Sequence, residues 1–331
     1  MFNLGKIGIV GGGSWATANA KIILEKKQAI NWFIHETDVV EHIKEFGNNP
    51  KYLSDVDFDT SLLNLTSNIN QLVAESDTIM FIIPSAYLKF ALQGLTLPLN
   101  DKTVVTAIKG IIPDDNLLVG EFMHQNYAVP YESIGVISGP CHAEEVALER
   151  LSYLTIAFTN QEKAKALTEI YNNRYIRTNL SDDILGTEYA AVLKNIYALA
   201  AGVCQGQGFG DNFQAVLISN AIREMKRFTD AVYPIQRDIK DSAYLGDLLV
   251  TAYSQFSRNR HFGTMVGKGY SVKYIQSEMN MVAEGYFASK GIWEINKKFQ
   301  VDMPIANSIY RILYEKQSPR RVIKELTEKL T

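Results

Sequence analysis

The 331-residue chain is 47% apolar and 21% charged, with a formal net charge of −3. That balance excludes a global attraction to nucleic acid or to an anionic membrane, and the length favours two domains, each with enough chain for its own core. Cys141 and Cys204 stand far apart and no metal-ligand spacing accompanies them, so neither a disulfide framework nor a structural zinc site is expected. No signal-type segment precedes the first apolar run and no apolar stretch approaches a membrane span. The expectation is a cytoplasmic protein.

The first predicted strand is the run Lys6-Ile-Gly-Ile-Val10. Gly11-Gly-Gly-Ser-Trp-Ala16 follows it and opens a helical pattern. A strand, a glycine turn and a helix read as a dinucleotide pyrophosphate site. Gly11 permits the tight turn, Gly13 lets the backbone approach phosphate, and the helix opens near Ser14 with N–H groups directed outward. Ala16 takes the place of the usual third glycine. An ordinary glycine-rich turn is the other reading.

Further strands are predicted at Ile30–His35, Thr78–Ile83, Thr103–Ile108, Ile134–Ile137, Leu154–Phe158 and Tyr175–Thr178. Strands separated by helical patterns imply right-handed crossovers and a mostly parallel sheet. After about Asp183 the texture turns helical: Tyr189, Val192, Leu193, Ile196, Leu199 and Ala200 recur at helical spacing in one long helix starting near Thr187. The expected fold class is α/β: a dinucleotide-binding domain over residues 1–184, Rossmann-like and doubly wound, then an all-helical substrate-binding domain over 185–331. The cleft between them is the default ligand site.

Five places can carry chemistry. Lys109 stands at the C-terminal end of a predicted strand, where open α/β sheets bind ligands; it is either an anion contact or a solvated lysine. Ser138-Gly-Pro-Cys-His-Ala143 forms a sharp turn into a helix, either a second phosphate- or nicotinamide-facing turn or a plain connection. Lys194-Asn195 lies within an apolar helix, where a lysine is costly unless it is paired, snorkels or has a tuned pKa. Asp247 and Thr251 share one face of a helix four residues apart; Asp247 either caps that helix or orients a lysine. Ser257-Arg-Asn-Arg260 is a basic turn suited to a phosphate, or a surface cluster.

In order along the chain, these motifs resemble the bacterial glycerol-3-phosphate dehydrogenases that use NAD or NADP. Ile-Pro-Ser at 83–85, Gly-Asp-Asn at 210–212 and Glu-Gly at 284–285 join the set, and the likeness covers nearly the full chain. The resemblance implies reversible hydride transfer between a nicotinamide and the C2 carbonyl of dihydroxyacetone phosphate, with no metal. It implies Lys194 as acid/base, with Asp247, Thr251 and Asn195 as its polar neighbours. Lys109 matches a contact to substrate and cofactor. Gly139 and Cys141 match substrate contacts. Ser257, Arg258 and Asn259 match the phosphate clamp, and the arginine also reaches the cofactor. Gly11, Gly13, Ser14, Trp15, Ala143, Val282 and Glu284 match cofactor contacts. It further implies a homodimer and supply of glycerol 3-phosphate for phospholipid synthesis. A 3-hydroxy-acid dehydrogenase and a non-catalytic NAD(P) sensor are the competing readings.

Three positions depart from the family pattern. At the end of the second strand, where the family often carries an arginine able to meet the 2′-phosphate of NADP, this chain has His35 and then Glu36. That leaves both cofactors open with a lean to NAD. Cys141-His142 replaces a Thr-Phe-like pair, and Ala191 stands where glycine is usual.

Overall fold

The structure, a computed structural model, describes residues 3–279 and 283–331. Two compact units form. The first comprises the chain up to Ile108 and Val119–Ile184; the second comprises Lys109–Leu118 and the chain from Leu185 onward. The excursion 109–118 therefore belongs with the helical unit, where Ile111 and Leu118 are buried in the core. A single boundary at 184 misses it.

The first unit is built on an eight-stranded sheet of order β3-β2-β1-β4-β5-β6-β7-β8. The strands are β1 (Ile7–Val10), β2 (Ile30–Phe33), β3 (Leu63–Thr66), β4 (Thr78–Phe81), β5 (Thr103–Thr106), β6 (Ile134–Ser138), β7 (Ser152–Phe158) and β8 (Ile176–Ser181). All neighbours are parallel except β6 and β7. Every residue of β1, β4 and β5 is buried, as strands covered on both faces must be. The edge strand β3 escapes the sequence reading, because Leu-Asn-Leu-Thr is neither an apolar run nor bounded by a clear alternation. The helices are α1 (Ser14–Leu24), α2 (Thr37–Phe46), α3 (Ile69–Glu75), α4 (Leu88–Ala91), α5 (Val119–Tyr127), α6 (Ala143–Ala147) and α7 (Gln161–Tyr171). The strand order reverses between β1 and β4, the switch point at which such sheets bind ligands. The glycine turn leaves the sheet there.

The second unit contains α8 (Ile184–Gly206), α9 (Asp211–Val232), α10 (Asp247–Tyr253), α11 (Arg258–Gly267), α12 (Val272–Glu278), α13 (Glu284–Phe299), α14 (Pro304–Leu313) and α15 (Pro319–Thr327). Residues Tyr189–Cys204 of α8 are all buried, Gly202 by its packing against α11. A helix apolar on every side belongs at the centre of its unit. Its backbone meets that of α11 directly. A Cβ on Gly202 would stand 2.0 Å from the Arg260 carbonyl oxygen, and one on Gly263 would stand 2.1 Å from that of Leu199. Gly206 and Gly267 repeat the contact one turn on. Four glycines thus form a seam with no room for a side chain.

Glu224 of α9 is fully buried and accepts the Ile305 and Ala306 N–H groups at 2.8 and 2.9 Å, capping the first turn of α14. Burial pushes its carboxyl up to about 7 against the pull of those two donors.

Candidate active site

Lys194 is 4% exposed, deep in α8. An ammonium there must be paired, and Asp247, 1% exposed, supplies the carboxylate. Lys194 Nζ donates to Asp247 Oδ1 at 2.5 Å and to Thr251 Oγ1 at 3.0 Å. Thr251 in turn donates to the Asp247 carbonyl at 2.7 Å, which turns its lone pairs towards the lysine. Lys109 Nζ reaches the other carboxylate oxygen, Oδ2, at 3.1 Å. Asp247 does not cap its helix. Gly246 is already helical, at φ −62° and ψ −48°, and a π turn over Ser242–Gly246 runs straight into α10.

Two ammonium groups therefore share one buried carboxylate. Burial pulls Lys194 down to about 7, opposed by Asp247 and reinforced by the charge of Lys109. For Asp247 burial acts upward, but Lys109 and Lys194 together outweigh it and hold the carboxyl below its usual range. The directions agree physically. A cluster with two cations and one anion loses a proton from the more buried cation first.

Asn195 and Asn259 lie beside this triad. Asn195 Nδ2 donates to the Lys109 carbonyl at 2.6 Å, and Asn259 Nδ2 donates to Asn195 Oδ1 at 2.9 Å. The Gly285 N–H donates to Asn259 Oδ1 at 2.8 Å. The side chain of Asn259 is thus held within the protein through its oxygen and one of its two amide N–H donors. Ser257 caps α11, its Oγ accepting the Arg260 N–H at 3.3 Å and its carbonyl the His261 N–H at 3.0 Å. Arg258 and Asn259 are the first two residues of α11, whose N–H groups have no acceptor inside the helix. Arg258 is exposed. The basic turn of the sequence reading is the start of a helix.

In the first unit Gly11 has φ +131°, and a Cβ there would meet the Ile82 carbonyl oxygen at 2.3 Å. Trp32 Nε1 donates to the Gly11 carbonyl at 2.6 Å and Asn49 Nδ2 to that of Gly12 at 2.9 Å. With both carbonyls tied back, the turn can offer its N–H face. Gly13 caps α1, and a Cβ on it would meet nothing within 4 Å. No acidic side chain stands in the first turn of α1, which starts at Ser14. Trp15 Nε1 is buried without an acceptor. Open space over the turn, an uncharged first turn and an orphaned donor fit a pyrophosphate.

Residues 6–164 match the family description NAD-dependent glycerol-3-phosphate dehydrogenase N-terminus, and residues 183–324 match its C-terminus. The chain belongs to this family. Glycerol-3-phosphate dehydrogenase [NAD(P)+] of Oceanobacillus iheyensis is 35% identical over 322 residues, spanning 97% of this chain and 93% of the relative. The enzyme of the same name from Leuconostoc mesenteroides is 35% identical over 326 residues, spanning 97% of both. The crystal structure of glycerol-3-phosphate dehydrogenase from Coxiella burnetii superposes with a TM-score of 0.89 at 29% identity, over 98% of this chain and 99% of that one.

Against the family pattern, Lys194, Asp247, Thr251, Lys109, Asn195 and Asn259 gather in the second unit, with Ser257 and Arg258 opening α11 and Glu284 opening α13. Gly11, Gly13, Ser14 and Trp15 form the turn of the first unit. His35 is exposed just past β2, its ring 4.8 Å from that of Phe90, and Glu36 caps α2 without a side-chain bond. Gly139 has φ +118°, Cys141 is half-buried, and Ala143 opens α6. Glu144 and Glu145 fill the first turn of α6 and disfavour phosphate there. Val282 lies outside the described residues. Among the described residues no cluster of His, Cys, Asp and Glu can hold a metal ion. The reading of the sequence missed Gly285 as a partner of Asn259. The dipeptide Glu284-Gly285 flags it only as part of a motif.

Proposed function

We propose that Lys194 is the proton donor and acceptor in the interconversion of dihydroxyacetone phosphate and sn-glycerol 3-phosphate that members of this NAD(P)-dependent family carry out. The observation that supports it most is the Lys194–Asp247–Thr251 arrangement. An ammonium has three N–H donors. Two are committed, to Asp247 and Thr251, and the third can be directed at a substrate oxygen.

A nicotinamide held by the glycine turn would supply or take up the hydride at the substrate C2 carbon. As negative charge grows on the carbonyl oxygen, the Lys194 ammonium stabilises it and passes it a proton. In the opposite direction the neutral amine takes the proton of the C2 hydroxyl. A value of about 7 leaves both forms of Lys194 populated near neutrality. Asp247 holds Nζ in place and remains charged, while Lys109 adds a second cation to the site. Arg258, the Ser257 cap and the N–H groups of Arg258 and Asn259 form the clamp for the phosphate.

Gly11, Gly13, Ser14 and Trp15 would hold the pyrophosphate. His35 would meet the adenosine ribose, and Ala143, Gly139, Cys141, Val282 and Glu284 would line the remaining contacts. A histidine with a neighbouring glutamate favours a 2′-hydroxyl over a 2′-phosphate, hence NAD. A cytoplasmic setting, supply of glycerol 3-phosphate to phospholipid assembly and a homodimer belong to the same proposal. No described helix is long and apolar enough to cross a membrane, and the exposed Leu249, Tyr253 and Phe256 are side chains that a subunit contact would cover.

The test is a pair of substitutions. Lys194→Ala should abolish turnover and leave cofactor affinity intact. Arg258→Ala should raise KM for dihydroxyacetone phosphate by about 10–100-fold, the cost of one charged hydrogen-bonding group. Retained kcat in the first variant, or an unchanged KM in the second, refutes the assignment.

A further inference from the structure

Asn195 and Asn259 are among the most buried polar side chains of the second unit, 5% and 8% exposed. Their hydrogen bonds run in one direction only. At one end the Lys109 carbonyl can only accept, so Asn195 must present Nδ2 to it. At the other end the Gly285 N–H can only donate, so Asn259 must present Oδ1. The contact between them then has to join Asn195 Oδ1 to Asn259 Nδ2, which is the contact found at 2.9 Å. Neither amide can flip without setting two acceptors or two donors face to face. The chain of bonds therefore has a fixed polarity and links a loop residue, α8, α11 and the first turn of α13.

Gly285 shows how closely the far end is pressed in. A Cβ there would lie 2.6 Å from the Asn195 carbonyl oxygen and 3.0 Å from Asn259 Oδ1. The near end holds the backbone of Lys109, whose ammonium reaches 3.1 Å across to Asp247. Lys109 is the residue that carries the second positive charge, and Asp247 bonds to the two lysines and not to either asparagine. The asparagines act on the triad through the position of Lys109.

Resting on the reading of Lys194 as acid/base, we propose that Asn195 and Asn259 are positioning residues: a two-amide relay that keeps the Lys109 ammonium on Asp247 and ties its placement to the start of α13. Cutting the relay frees the 109 loop, and the Lys109 charge withdraws from the buried pair. Lys194 then keeps its proton to higher pH, since the cation that repelled it has moved off.

The experiment is a double-mutant cycle on the full-length enzyme with Asn195→Ala, Asn259→Ala and the double variant. It is read as pH profiles of kcat with dihydroxyacetone phosphate and with unphosphorylated dihydroxyacetone, and as thermal unfolding of each protein. At pH well below 7, where Lys194 is protonated in every variant, each single variant should lower kcat on both substrates by about tenfold, because the displaced Lys109 no longer helps to stabilise the growing oxyanion, and the double variant should be no worse than the poorer single, because one relay is cut once. The basic limb of the reduction profile should move up by about one pH unit. An effect of Asn259→Ala confined to KM for the phosphorylated substrate, with the limb unmoved, overturns the proposal in favour of a phosphate contact. Multiplying effects in the double variant overturn it too. Should Asn259→Ala fail to fold, Asn195→Ala carries the same test of the limb, since it cuts the same chain of bonds, and an unmoved limb in it overturns the proposal. Failure of the acid/base reading shows separately, as turnover surviving Lys194→Ala.

Discussion

The carboxylate of Asp247 stands between two ammonium groups, 2.5 Å from Lys194 Nζ and 3.1 Å from Lys109 Nζ. Asp247→Asn keeps the shape and removes the charge. With charge centres about 4 Å apart and an effective dielectric constant of about 20, the lost attraction is roughly 4 kcal/mol, equivalent to about three pKa units. Lys194 should fall from about 7 to roughly 4, since the remaining neighbour, Lys109, only repels it. At neutral pH the protonated fraction then drops from about one half to roughly one in a thousand. Ketone reduction needs the ammonium, so kcat near pH 7 should fall by roughly 10²–10³-fold. In the unmodified enzyme that rate should decline as pH rises through about 7, and alcohol oxidation, which on the proposed role needs the amine, should rise through the same point. Steady-state NAD(P)H oxidation with dihydroxyacetone phosphate, followed from about pH 5 to about pH 9, should show the variant's activity still climbing with falling pH at the acid end, where the unmodified enzyme has levelled off. A depressed kcat whose limb stays where it is in the unmodified enzyme would show that Asp247 does not govern the Lys194 proton.

Three other outcomes are expected. Gly263→Ala drives a methyl group to 2.1 Å from the Leu199 carbonyl, a mid-helix backbone atom that cannot yield. A loss of about 3 kcal/mol or more, seen by calorimetry as a Tm lower by roughly 5–10 °C, is expected, and an unshifted Tm contradicts the seam. His35→Arg should raise the kcat/KM ratio of NADPH to NADH by about tenfold through a new charged contact, and a constant ratio would remove His35 from the 2′ site. Glu224 has its carboxyl raised above the ordinary value to about 7, chiefly by burial. The raised group adds stability fully below its unfolded pKa, and that stability is lost as pH rises through about 7. Glu224→Gln should erase that slope, worth about 3 kcal/mol across the window, in urea unfolding at stepped pH. An identical slope in the variant would locate the dependence elsewhere.

The legibility of this fold tracks burial. β1, β4 and β5 announce themselves because strands covered on both faces need unbroken apolar runs, and the glycine turn does so because φ +131° at Gly11 admits little else. β3 hides at the edge, where one exposed and one half-buried residue dilute the pattern. The membership of 109–118 in the second unit is set by contacts with residues far along the chain, and local composition carries no trace of it. Lys194 is conspicuous as a charge in an apolar helix, and that cost alone demands a partner. Which partner was open: Asp247 reads equally as a helix cap until the π turn before it is seen. Least visible are the roles of Asn195 and Asn259. An asparagine looks the same in sequence whether its amide faces a ligand or another asparagine 64 residues away.

The glycine seam between α8 and α11 sets a limit on what this scaffold can become. Lys194 and Asn195 ride on α8, and Ser257, Arg258 and Asn259 begin α11. Because the two helices meet through peptide groups, their spacing is a property of backbone geometry, and no choice of core side chain can widen it. On the proposed roles, the reach from a reacting carbon to a terminal phosphate is thereby gauged in the chain itself. A lineage, or an engineer, seeking longer phosphorylated polyols would gain nothing by exchanging buried apolar side chains. The adjustable part is the short connection Ser254–Ser257 ahead of α11, where the anchor can be moved without parting the helices.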